Sequence, residues 1–450
     1  MKNKIKNFLL LAFMAISSCA FSQVFTISGE LRPRAEYYHG YKTLASKGQK
    51  SAFSISQRTR LNLAFEMDKW FSTYISLQDV RTWGSQSQLV ANEANGVSLH
   101  EAWGEIYMGK KKMGVVKFGR QEIIYDDHRI FGNVGWVQQA RSHDAVIFKY
   151  RDKSKAEIQL GFAYNQDSQK LIGTVYTVGS SYKTFQSLWI HKDFEKKNLG
   201  VSLLALNVGV QASDTNLVGQ DIHKVRFTQI FGTHISYNKS KFGLVLNAYA
   251  QTGRTAVVKK PLKVFGYLAS ADLSYKFIKN GSVHLVYEYI SGTNQTKTDP
   301  SYYRTNHSFN PMFGTNHAFN GFMDYFYVGN HLNSVGLQDL CLKIKYNPDK
   351  FSVGGDFHFF FTGNKMQDPT SFAVTAAKPY LGTEIDLYGG YNITKWAALK
   401  LGYSHLIASQ SMEYLKGGDK NAINNWGYVS LIVNPTFFKH KFKKDTEENQ

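Results

Sequence analysis

The sequence predicts an all-β chain closed into a transmembrane antiparallel β-barrel of about 18 strands, with short periplasmic turns and long extracellular loops. Three observations predict it. Aromatic residues make up 15% of the 450 residues while prolines number only 8, a composition suited to pleated, half-buried strands. Period-two alternation of apolar and polar residues recurs along the whole chain between clusters of turn residues. The connections alternate strictly between short and long, which is the signature of a barrel with one trimmed rim and one elaborated rim.

The chain opens with Lys2, Lys4 and Lys6, the apolar run FLLLAFMAISSCA and Ala20-Phe21-Ser22. A basic start, an apolar centre and a small-x-small end make residues 1–22 a secretory signal peptide. Cys19 offers a lipoprotein acceptor instead, but the residues before it fit a lipobox poorly. Beyond the leader Cys341 stands alone, which excludes an intrachain disulfide and a cysteine-based metal site. No later stretch approaches 18 consecutive apolar residues and the mean hydropathy is −0.32, so no transmembrane helix is expected. Membrane strands of alternating polarity escape such a test.

Strands are expected near 24–37, 53–67, 71–83, 98–108, 114–124, 143–152, 154–166, 182–193 and 198–211. The second half continues with 224–237, 241–253, 263–277, 281–292, 337–346, 351–363, 380–391, 396–409 and 425–438. Residues 23–438 thus form the barrel, and 439–450 a charged periplasmic tail. Faces follow from parity. The first strand sets Ile27, Leu31 and Ala35 against Glu30, Arg32, Arg34 and Glu36; the second sets Leu61, Leu63 and Phe65 against Arg58, Arg60, Asn62 and Glu66. Near the C-terminus Leu381, Ile385, Leu387 and Tyr391 oppose Glu384, Asp386 and Tyr388. An Arg or Lys facing lipid near the midplane costs roughly 2–4 kcal/mol, so the charged sets face the lumen. Aromatics near strand ends, among them Trp70, Trp83, Trp396, Trp426 and Phe437, suit interfacial girdles. Eighteen strands enclose a lumen wide enough for water.

The formal charge is +19, or +16 without the three leader lysines. Secretion excludes nucleic acid as the partner of this charge and leaves anionic lipid or acidic solutes. Much of the lysine lies in the short turns, so an anion preference rests on inward arginines, whose planar donor fork matches carboxylates.

The densest chemistry lies in Gly119–Tyr150, GRQEIIYDDHRIFGNVGWVQQARSHDAVIFKY. Two strands there flank a loop holding Asp126, Asp127, His128, Arg129, Trp136, Gln138 and Arg141. Gly119-Arg120-Gln121, Trp136-Val137-Gln138 and Arg141 with Asp144-Ala145-Val146, together with LGTEIDLYGGYNITKWAALKLGYSH over 381–405, resemble the alginate export family of outer-membrane porins. The resemblance covers about residues 24–438. It implies an eighteen-stranded barrel with an arginine-rich lumen that passes an acidic polysaccharide such as alginate unchanged. The matching lumen candidates are Arg32, Arg34, Arg58, Arg60, Arg120, Arg129 and Arg141, balanced by Glu30, Glu101, Glu105, Glu384 and Asp386. Two features depart from the family pattern: the late turn Asn392–Lys395 is short, and the longest loop, 293–336, lies outside.

The functional expectation is therefore a channel for anionic solutes, oligo- or polysaccharides included, with no cofactor. Its surround is outer-membrane lipid and lipopolysaccharide, and its folding partner the barrel-assembly machinery. Two alternatives stand beside it. Asp126-Asp127-His128 suggests a rim enzyme of protease or lipase type, although no serine occupies a nucleophile elbow and no metal signature is present. Loop 293–336, rich in Asn, Thr, His and aromatic residues, suggests a structural or glycan-binding role.

Overall fold

The computed structural model describes residues 23–442 apart from 68–69, 90–95, 110–111, 170, 172–177, 179–181, 213–223 and 257–259; the leader and the end of the tail lie outside the described residues. Among the described residues twenty strands follow one another. The first nine are β1 (Gln23–His39), β2 (Ala52–Met67), β3 (Phe71–Thr82), β4 (Ser98–Met108), β5 (Gly114–Gln121), β6 (His143–Arg151), β7 (Ala156–Tyr164), β8 (Thr184–Phe194) and β9 (Leu199–Ala212). Then come β10 (Lys224–Lys239), β11 (Phe242–Arg254), β12 (Lys263–Ile278), β13 (Gly281–Ile290), β14 (Thr305–Asn306) and β15 (Leu337–Tyr346). The last five are β16 (Phe351–Thr362), β17 (Tyr380–Thr394), β18 (Ala397–Ala408), β19 (Asn424–Val433) and β20 (Thr436–Lys441).

Consecutive staves pair antiparallel, and β1 closes the ring by pairing with β2 on one edge and with β19 and β20 on the other. Closure satisfies every stave and leaves no sheet edge in the membrane. β20 continues the last stave past a break at Pro435, which lacks an N–H but whose carbonyl accepts from Gly29 N at 3.0 Å. β14 is a two-residue ribbon in a loop, parallel to the end of β12. The wall is therefore a closed 18-stave antiparallel barrel, as expected, and each predicted strand forms within a few residues of its expected bounds. No helix among the described residues is long and apolar enough to cross a membrane.

Outside, Leu61, Leu203, Leu273, Leu285, Leu387, Leu401 and Val429 are exposed as an apolar band, with Trp70, Trp83, Trp396 and Phe437 toward the rims. Inside, the buried core occupies the space a pore would take: Phe131, Phe185, Met323, Tyr325, Phe360 and Trp426 are almost completely covered. Three expectations need correction. Leu381 does not face lipid: a register shift opposite Phe360/Phe361 reverses the parity at this end of β17 and buries Leu381. Trp426 is no girdle residue, because it lies on the inward parity of β19 with Asn424 and Ser430 and is fully buried. The tail does not start at 439, since Lys439, His440 and Lys441 pair with Thr26, Phe25 and Val24.

Candidate functional site

Two of the long loops turn back into the lumen. The first, 122–142, carries four non-glycine residues in the left-handed region, Asp126, His128, Val134 and Ala140, with φ of 51°, 68°, 49° and 55°. Such backbone persists only when its surroundings over-determine it. The determinants are charged side chains from the wall. Arg32 of β1 donates Nε to Gln138 Oε1 at 3.0 Å, Nη1 to Gly135 O at 2.8 Å and Nη2 to the carbonyls of Trp136 and Val137 at 3.2 and 3.1 Å. Arg34 donates to Trp136 O at 2.7 Å and to Glu36 at 2.8 Å. Arg58 grips Glu30 at 2.9 and 2.5 Å, and Arg60 donates to Gln78 at 2.8 Å.

The acid end of the same loop is pinned across the barrel. Asp126 accepts from Ser202 Oγ at 2.5 Å and from Trp189 Nε1 at 3.1 Å, while Asp127 accepts from Asn247 Nδ2 at 2.9 Å. Arg129 pairs with Asp127 and Glu288 and lies 3.8 Å from the centre of the Phe319 ring. Arg141 donates to Gly132 O at 3.4 Å and Gly314 O at 3.2 Å, tying the two loops together, and its burial lowers its pKa to about 10.

The second inserted segment runs over 307–331. Asn320 Nδ2 donates to Glu288 at 2.9 Å and Asp339 at 3.2 Å, Phe322 N to Asp386 at 3.2 Å and Met323 N to Glu384 at 2.8 Å. Gly321, at φ +82°, sits so close that a Cβ would fall 2.6 Å from the Glu384 carboxyl. Asp324 then accepts from Tyr41 OH and pairs with His317 Nδ1 at 2.8 Å. Burial and the Asp324 charge push the Tyr41 hydroxyl far above the ordinary phenol range.

Where the segments meet, four side chains stack. The Arg34 guanidinium lies 4.1 Å from the centre of the Trp136 ring, Trp136 stacks on His317 at 4.4 Å and 12°, and His317 on Phe322 at 5.3 Å and 19°. Tyr428 abuts Trp136 edge-on at 4.8 Å. Contacts of these kinds each contribute roughly 0.5–1.5 kcal/mol. A cavity of about 710 Å³ lies on the short-turn side of this stack, bounded by Arg32, Arg34, Trp136, His317 and Lys400. Another of about 450 Å³ lies on the loop side, bounded by Arg34, Glu36, Lys42, Arg81 and Trp136. Arg34 and Trp136 border both, so the stack is the septum between two vestibules. Arg32, Arg34 and Lys400 oppose Asp127 in the inner one, and Arg34, Lys42 and Arg81 oppose Glu36 and Asp324 in the outer one. Both are richer in cations than in carboxylates.

The sequence-predicted residues thus divide. Arg32, Arg34, Arg58 and Arg60 converge on the inward face of β1 and β2, and Arg32 and Arg34 reach a vestibule. Arg129 and Arg141 hold loops, and Glu384 and Asp386 are fully buried beneath the second one. Arg120 is a correction: it shares the outward parity of Val116 and Phe118 and pairs at 2.8 Å with Asp144, Arg120 half-buried and Asp144 exposed, so it does not line the lumen. The Asp126-Asp127-His128 run assembles no catalytic group, because both carboxylates are spent on wall partners. Cys341 is buried beside His358, 3.5 Å from Nε2, as a small filler on the inward face. Sequence reasoning missed His317, Phe322, Tyr41 and Asp324; the run FNGFMDYF within a polar loop was the available signal.

Solved porins share this architecture. OccK9 (OpdG) of Pseudomonas aeruginosa superposes with a TM-score of 0.61 at 10% identity, covering 92% of this chain and 98% of that one. A BenF-like porin from Pseudomonas fluorescens Pf-5 gives 0.58 at 9%, covering 92% and 99%. OccK2 (OpdF) of Pseudomonas aeruginosa, in complex with glucuronate, gives 0.55 at 10%, covering 92% and 98%. At such identities the likeness concerns the fold. No curated protein matches the sequence. The alginate export family matches residues 24–413, nearly the whole barrel. A closed eighteen-stave wall, two loops seated in its lumen and this match agree: the chain is an outer-membrane barrel channel rather than an enzyme, and it belongs to the alginate export family.

Proposed function

We propose that the channel passes anionic solutes by diffusion, and that small acidic sugars are their class. The observation that carries this reading is Arg34 at the septum. Its Nε and Nη1 are held by Glu36 and Trp136 O, and it borders both vestibules. With Nε on Glu36 and Nη1 on Trp136 O, Nη2 is the part of the guanidinium left to donate to a passing carboxylate. The excess of cations in both vestibules raises the local concentration of anions. The glucuronate held by OccK2 in its crystal structure agrees in chemistry with this class. The seated loops favour monomers and short oligomers over a long polysaccharide, for which both loops would have to leave the lumen.

The test is reversal potential in planar bilayers under a salt gradient. Anion preference is expected for the refolded protein, and Arg34→Glu should weaken or invert it. Cation preference in the parent, or an unchanged potential in the variant, would overturn the reading.

A further inference from the structure

We infer that a groove on the outer rim, apart from the solute passage, is a binding site for an uncharged oligosaccharide. The groove has a volume of about 830 Å³ and is walled by loops 291–336, 363–379 and 409–423, a size within the ordinary range of ligand sites. Among the described residues no Asp, Glu, Lys, Arg or His lines it, although the chain carries 53 basic and 34 acidic residues. An exposed rim groove free of charge in such a chain gives an acid or a cation nothing to pair with.

What it does present is amides and phenol rings: Gln295, Asn330, Asn333, Gln367, Tyr303 and Tyr414. Carboxamides both donate and accept, which matches sugar hydroxyls that do the same. Tyrosine rings supply a flat apolar surface with a polar edge. The amides are held in place. Gln295 Oε1 accepts from Gln367 N at 3.1 Å, and Gln295 N donates to Lys365 O at 2.9 Å, which locks two loops together. Tyr303 is exposed while its hydroxyl is anchored to Lys297 O at 2.9 Å, so its ring has a set orientation. Asn330 donates Nδ2 to Lys42 O at 3.3 Å and to Asp324 O, which assigns its amide and leaves Oδ1 with no donor among the described residues. That oxygen is covered, so Asn330 serves the groove as a fixed wall rather than as an open acceptor. Asp324 lines the outer vestibule, so a bound sugar would stand one residue away from the passage.

The experiment uses the full mature chain refolded in an amine-oxide detergent, since alkyl glycosides would compete. Maltohexaose, laminarihexaose and an oligomannuronate hexamer are offered separately, and binding is read by saturation-transfer NMR and titration calorimetry. At least one neutral hexamer should bind. Tyr303→Ala/Tyr414→Ala should weaken it by about tenfold, the loss expected for removing aromatic contacts. Channel conductance should stay unchanged, and heat-modifiable gel mobility should show that the variant barrel has folded. Gln367→Leu provides a second, milder variant with the same expected direction. Failure of both neutral hexamers to bind, equal binding by all variants, or binding of the charged hexamer alone would overturn the site. None of these outcomes bears on anion selectivity in the bilayer.

Discussion

Replacing Arg32 with methionine retains most of the buried stem and removes the guanidinium that seats the first loop. Four hydrogen bonds disappear, to Gln138 Oε1, Gly135 O, Trp136 O and Val137 O, between 2.8 and 3.2 Å. A bond from a charged donor contributes roughly 1.5–3 kcal/mol, and an abandoned buried carbonyl costs a similar amount. The inner vestibule of about 710 Å³ adjoins these groups, so water takes over part of what is lost, and the net weakening is set at roughly 3 kcal/mol. With 1.36 kcal/mol per factor of ten, the undocked population of segment 133–138 rises roughly 150-fold. Single-channel recording should show frequent excursions to a larger conductance. Amide exchange of 133–138 should accelerate by a similar factor, while the β1 and β2 strands stay protected. If Arg32→Met matches the parent in both measurements, Arg32 does not seat the loop.

Two further substitutions probe other parts of the molecule. Arg120→Ala should leave the reversal potential unchanged and barely alter stability, because an exposed pair contributes less than about 1 kcal/mol; a selectivity shift like that of Arg34→Glu would place Arg120 on the passage after all. Lys416, in the helix Gln410–Lys416, donates to Asn330 O at 2.7 Å and lies 5.2 Å from the Phe326 ring. Burial lowers its pKa to about 7 from the usual 10.5. Between those values the open loop holds a proton that the packed loop lacks, so packing strengthens as pH rises through this window and levels off at its weakest below about pH 7, where both states are protonated. Exchange protection over 326–331 and 410–416, corrected for intrinsic rate, should increase from pH 6 to 9 and become independent of pH in Lys416→Met.

The wall was legible because a barrel repeats one rule. Parity placed Arg32, Arg34, Arg58 and Arg60 inside and Leu61 and Leu401 outside, since a single slip would turn every side chain to the wrong solvent. Parity failed where the backbone broke it, as at Leu381 beside the shift opposite Phe360/Phe361. Arg120 departs for a different reason: a family's positional pattern carries no parity, and on β5 Arg120 follows Val116 and Phe118 outward. The first loop showed its role through its density of charge, which needs partners to be buried. The second did not, because its anchors are backbone amides of Phe322 and Met323 meeting carboxylates more than 60 residues away. Main-chain donors are common to every residue type and leave no mark on a sequence.

The seam of the barrel has a consequence for biogenesis. β1 joins β19 and β20, so the first stave made meets its final neighbour only when the last has been delivered. Contacts so distant in sequence are slow to form, and their loop-closure entropy falls due before any reward. The same β1 carries Arg32 and Arg34. Until ring closure fixes their strand, the first loop lacks a complete seat, and nascent barrels should pass through a stage in which the cylinder is open along one side and its interior is still wet.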